Sequence, residues 1–144
     1  MPAKSTTPPS TDPAEPAAEK PVVPATGKSI LIVEDERPLA HALEMKLKNS
    51  GYTVKVCMNG SDAISELEHG KYSLVLLDLI MPMMDGFGVL TEMQQRKYTV
   101  PTIVLSNLGQ DEDRAKAKAL GAIDYFVKSN TPISTILERV KSAL

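Results

Sequence analysis

The sequence predicts a doubly wound α/β domain: a five-stranded parallel sheet of order 2-1-3-4-5 with helices on both faces. Two observations carry that prediction. From Lys28 onward, five short apolar runs alternate with five stretches of helical periodicity, the pattern of parallel strands joined by crossover helices. The runs SILIV (29–33), SLVLL (73–77) and TIVL (102–105) also lack polar alternation, as strands buried on both faces do. The chain has 144 residues, and a barrel of eight such units needs about twice that length.

Residues 1–27 read differently from 28–144. They are rich in Pro, Thr, Ala and Glu, and no aromatic precedes Tyr52. Such a stretch buries too little surface to offset its ordering entropy, so a disordered Pro-rich tail is expected. The domain then opens with Ser29–Val33 as a buried strand, followed by Glu34-Asp35-Glu36. Pro38 suits a first helical turn. Leu39, Ala42, Leu43 and Leu47 form one apolar face, and Gly51 is a C-terminal stop.

Thr53–Cys57 alternates more and belongs nearer an edge. Asn59 or Ser61 caps a short helix with Ala63, Ile64 and Leu67 inward, ending at Gly70. The central strand, Ser73–Leu77, stops on Asp78. Met81-Pro82 and Asp85-Gly86 then bend the chain, with the glycine permitting a positive φ. Val89, Leu90 and Met93 mark a third helix to about Arg96. Thr102–Leu105 is the fourth strand and ends on Ser106. Asp111 caps a helix to Leu120 whose inward candidates, Ala115, Ala119 and Leu120, offer little apolar area. Ile123–Val127 is the fifth strand, closed by Lys128. Thr131-Pro132 is a cap with a first-turn proline, and Ile133, Ile136, Leu137, Val140 and Leu144 give the last helical stripe.

Composition narrows the function. Sixteen basic and eighteen acidic residues, net charge −2, leave no nucleic-acid footprint. A single cysteine, Cys57, excludes an internal disulfide and fits a reducing cytoplasm; it reads as a small core hydrophobe. No apolar run is long enough to cross a bilayer, and MPAKSTTPPS lacks the apolar core of a signal peptide. His41 and His69 read as helix-surface residues, and Glu36 as a solvated charge at a helix start.

The chemistry lies in the residues that close the strands: Glu34-Asp35, Asp78, Ser106 and Lys128. In the predicted fold these ends share one rim at the point where the strand order reverses. Crowded carboxylates resist ionising, and a hard divalent cation such as Mg²⁺ relieves the repulsion through oxygen ligands. A cation site beside a lysine and a hydroxyl suits a phosphoryl group.

The ordered set Glu34-Asp35, Asp78 with Met81-Pro82 and Asp85-Gly86, Ser106, Tyr125 and Lys128 resembles the receiver domain of two-component response regulators, a flavodoxin-like fold. The resemblance spans residues 28–144. It implies that Asp78 is the phosphoacceptor, taking a phosphoryl group from a histidine kinase or phosphotransfer protein. It also implies that Asp35, Asp78 and the backbone carbonyl of Ile80 ligate Mg²⁺, with Glu34 acting through a water. Ser106 and Lys128 then grip the phosphoryl oxygens, and Tyr125 turns inward as Ser106 shifts. The fourth helix, fifth strand and fifth helix form the output surface for a downstream protein.

Several positions depart from the usual pattern. Ser106 replaces the commoner Thr, Asn107 replaces a small residue and narrows access to Asp78, and Ile80 and Leu108 are apolar beside the site. Slow self-dephosphorylation is therefore expected. Ser129 follows Lys128 where Pro is frequent, which points to a trans bond and a differently shaped loop. With the fifth helix last, a single-domain regulator is expected unless the sequence is part of a longer protein. The alternative is an adaptor that keeps the fold and binds a partner without phosphorylation.

Overall fold

The computed structural model describes residues 26–81 and 84–144. The tail expected over 1–27 therefore lies outside the described residues except for Thr26 and Gly27, as do Pro82 and Met83. The elements follow the predicted alternation: β1 Ser29–Val33, α1 Arg37–Asn49, β2 Thr53–Cys57, α2 Gly60–His69, β3 Leu74–Leu77, α3 Gly86–Gln95, β4 Thr102–Ser106, α4 Asp111–Ala119, β5 Asp124–Val127 and α5 Ile133–Ala143. The strands pair in the order β2-β1-β3-β4-β5, all parallel.

Alternate side chains of the central strands feed two cores. Ile30, Ile32, Leu74, Leu76, Ile103 and Leu105 pack under α1 and α5. Leu31, Val33, Val75, Leu77 and Val104 pack under α2, α3 and α4. Burial on both sides is why these strands show no polar alternation. The alternating strand, β2, is an edge.

The helix stops follow from local chemistry. Asn59 caps α2 by accepting from the Asp62 N–H at 2.8 Å, and Asp85 caps α3 by accepting from Gly88 N–H at 2.9 Å. Gly51 follows α1 with φ 97°, the left-handed conformation that favours glycine.

Four expectations need correction. Gly86 does not adopt a positive φ among the described residues. It is needed for close approach, because a Cβ there would meet the carbonyl oxygen of Asp78 and stand 2.7 Å from Leu79 Cα. Asp111 is the first residue of α4, after Gln110, and makes no capping hydrogen bond. The inward residue of α4 is Ala117, whereas Ala115 and Ala119 are exposed. Finally, α5 starts one residue later than expected: Pro132 occupies the cap position, and Thr131 Oγ1 donates to Val127 O at 2.9 Å. No described peptide bond is cis, and Lys128–Asn130 forms a single 3₁₀ turn.

Candidate functional site

Parallel pairing places the carboxyl ends of the central strands on one rim. Val33 pairs with Leu77, so the next residues, Glu34 and Asp78, emerge side by side. Their backbones are held by Asp78 N–H donating to Val33 O at 2.9 Å and Glu34 N–H donating to Cys57 O at 3.0 Å. Val127 pairs with Ser106 two strands away, and Lys128 follows it.

Lys128 reaches back across the rim. Its Nζ stands 3.1 Å from Asp78 Oδ2, 2.9 Å from Glu34 Oε1 and 3.7 Å from Glu36 Oε1. It donates to Asp78 Oδ2 at 3.1 Å and Glu34 Oε2 at 3.0 Å. The contact with Glu34 Oε1 lacks hydrogen-bond geometry, so that buried oxygen has a charge neighbour but no donor.

Glu34 is 2% and Asp78 4% exposed. Burial pushes the Glu34 carboxyl up to about 7, against the downward pull of hydrogen bonds from Lys128 and the Glu36 backbone. Burial also raises Asp78, with Lys128 opposing. For Lys128, burial works to lower the value, but Glu34 and Asp78 outweigh it and leave the ammonium raised.

Carboxylate oxygens of Glu34, Asp35 and Asp78 all lie within 4.8 Å of one another. Of these three acids Lys128 pairs with Glu34 and Asp78 only, and Glu34 Oε1 is an orphan acceptor. This all-oxygen donor set fits Mg²⁺, which prefers carboxylates and waters. A cavity of about 200 Å³ opens over the group, lined by Asp35, Glu36, Asp78, Ile80, Asn107 and Lys128. The Ile80 N–H donates to Asp78 Oδ1 at 3.2 Å.

The site and topology match one family. The model of the response regulator receiver domain matches residues 30–141. The chain belongs to that family. Receiver domains are the signalling modules of two-component response regulators, and they bind Mg²⁺ at an acidic pocket. TrrA of Thermotoga maritima, solved in complex with Mg²⁺ and BeF, is 32% identical to this receiver, with a TM-score of 0.71 over 81% of this chain and 99% of that one. A Francisella receiver domain, 24% identical with a TM-score of 0.77, covers 81% and 96% and attests the fold alone. The transcriptional regulatory protein YkoG of Bacillus subtilis (strain 168) is 36% identical over 115 residues, 80% of this chain and 50% of that protein. This chain thus spans about half the length of that curated relative.

The remaining predicted residues are placed less uniformly. Ser106 is fully buried, and its Oγ accepts from Leu108 N–H at 3.2 Å, so its hydroxyl is engaged with its own loop. Tyr125 is already buried, 2% exposed, and its hydroxyl donates to Leu108 O. Asn107 is exposed at the cavity mouth.

Two contributors escape the sequence. Glu36 lines the cavity and approaches Lys128, although one more charge at a helix start carries no signal. Arg114 of α4 donates from Nη1 to Tyr125 O at 3.0 Å and stacks 4.9 Å from the centroid of its ring. Nothing in a charged, alanine-rich helix distinguishes that arginine from its neighbours.

Proposed function

We propose that this receiver takes a phosphoryl group onto Asp78 from the phosphohistidine of a histidine kinase or phosphotransfer protein. The observation that carries the reading is the bridge from Lys128 to Asp78 and the buried Glu34, beside a cavity that Asp35, Asp78 and Lys128 line. An Asp78 carboxylate oxygen attacks phosphorus, the P–N bond breaks, and its electron pair returns to the imidazole, which takes up a proton. Asp35, Asp78 and the Ile80 carbonyl would hold Mg²⁺, with Glu34 acting through a water, and the ion when bound would offset charge on the phosphoryl oxygens. Lys128 transfers from Glu34 to a phosphoryl oxygen. The setting is the cytoplasm, in keeping with the free buried Cys57.

The switch follows from the hydrogen bonds around Leu108. Phosphorylation adds nearly two negative charges, and these draw the Ser106 hydroxyl away from Leu108 N–H. Leu108 O accepts from the Tyr125 hydroxyl, and the Tyr125 ring lies under the guanidinium of Arg114 on α4, which also donates to the Tyr125 backbone carbonyl. Moving one member loosens the next, and the surface of α4, β5 and α5 changes for a downstream protein.

The test is labelling by acetyl phosphate. We expect Mg²⁺-dependent incorporation that EDTA and Asp78→Asn each abolish. A chase should show slow decay, because Ile80 and Leu108 provide no polar group to orient an attacking water; a half-life of seconds would contradict that part. Absence of any Asp78-dependent label would leave the constitutive adaptor.

A further inference from the structure

The amino-terminal ends of the strands, opposite the carboxylates, carry a groove that the phosphoacceptor reading does not use. Its volume is about 440 Å³, and its lining includes Leu67, Lys71, Tyr72, Lys97, Tyr98 and Val100. Tyr72 and Tyr98 are half-buried, while Lys71 and Lys97 are exposed. Among the described residues, neither lysine has a carboxylate within ion-pairing distance. The nearby acids are engaged: Glu66 accepts from the Tyr72 hydroxyl at 2.6 Å, and Glu68 faces Arg96 at 3.7 Å. The groove is therefore aromatic with unmatched positive charge. Along Tyr98, Thr99 and Val100 it adjoins a second cavity of about 250 Å³.

We propose that this groove is the docking site of the chain's own segment 12–19, DPAEPAAE. Three observations favour that occupant. The first is position: Thr26 N–H donates to Gly51 O at 3.0 Å, which ties the start of the described chain to the same end of the sheet. Gly51 leads into β2, so the residues before β3 and β4 that line the groove lie two and three strand spacings from this anchor, roughly 10 and 14 Å. The six residues 20–25 cover that span, since an extended polyproline chain rises about 3.1 Å per residue.

The second observation is charge. Asp12, Glu15 and Glu19 complement Lys71 and Lys97. The third is shape: a polyproline helix has three residues per turn. In that conformation Asp12 and Glu15 would fall on one edge, and Pro13 and Pro16 on the next, followed there by Glu19. Prolines against tyrosine faces are the usual contact of such a helix in an aromatic groove.

Paramagnetic broadening on the full chain tests this. A nitroxide on Ala17→Cys should erase the amide signals of Lys71, Tyr72, Lys97 and Tyr98, equally at high and low protein concentration. Cys57 does not compete for the label, since it is buried and its thiol is pushed up to about 11 by burial. Lys71→Glu with Lys97→Glu should restore those signals, and further adding Asp12→Lys, Glu15→Lys and Glu19→Lys should erase them again. Broadening confined to residues around Thr26 would overturn the proposal. So would broadening that disappears on dilution, which would assign the groove to the tail of a second copy. The result is independent of whether Asp78 takes a phosphoryl group.

Discussion

At the scale of single residues, the site was legible where a lone charge interrupts an apolar run. Asp78 and Lys128 each close a strand directly after an apolar residue, and both sit at the rim, 3.1 Å apart. Glu36 and Arg114 were illegible because a charge at the start or on the flank of a polar helix is ordinarily solvated. Gly86 was misread as a dihedral requirement when the constraint is space. Gly86→Ala should destabilise the domain by about 1–3 kcal/mol, since backbone of Asp78 and Leu79 must shift. Gly88→Ala meets first the flexible Met84 side chain, at 2.9 Å from Cγ; helix propensity makes it neutral or stabilising by up to about 1 kcal/mol. Urea unfolding of the two variants checks the contrast, and equal effects would refute the assigned role of Gly86.

At the scale of elements, the central strands were readable because burial on both faces leaves a plain apolar run. Helix α4 was not. Its alanines sit at alternate positions, so the sequence could not say which faces inward, and Ala117 alone is buried. What holds α4 besides apolar area is cationic: Arg114 on Tyr125 and Lys116 Nζ over the Phe87 ring at 4.3 Å. Such contacts contribute about 0.5–1 kcal/mol each at exposed sites. Arg114→Ala should therefore speed amide exchange throughout α4 while lowering global stability by no more than about 1 kcal/mol. Unchanged exchange in α4 would show that the arginine does not clamp the helix.

At the scale of the molecule, strand order was legible because crossover handedness and chain length leave few ways to wind five parallel strands. The residues placed at the rim then determine how stability responds to pH. Glu34 is raised from 4.5 to about 7, so between those values the folded state holds a proton that the unfolded chain has lost. Metal-free stability should fall as pH rises through that window, and the raised Asp78 acts in the same direction. The raised Lys128 keeps its stabilising charge throughout the window and loses it only above the usual lysine range. Mg²⁺ binds the deprotonated carboxylates, so saturating Mg²⁺ should flatten or reverse the slope in thermal melts. The same slope with and without the ion would contradict the assigned cation site. The most direct measurement is a structure of this chain with Mg²⁺ and beryllofluoride. The beryllium should stand on an Asp78 carboxylate oxygen, its fluorines held by Lys128 Nζ and Ser106 Oγ, with Mg²⁺ about 2.1 Å from Asp35, Asp78 and the Ile80 carbonyl. Beryllofluoride bound away from Asp78, or Lys128 still paired with Glu34 and Ser106 still bonded to Leu108, would contradict this arrangement.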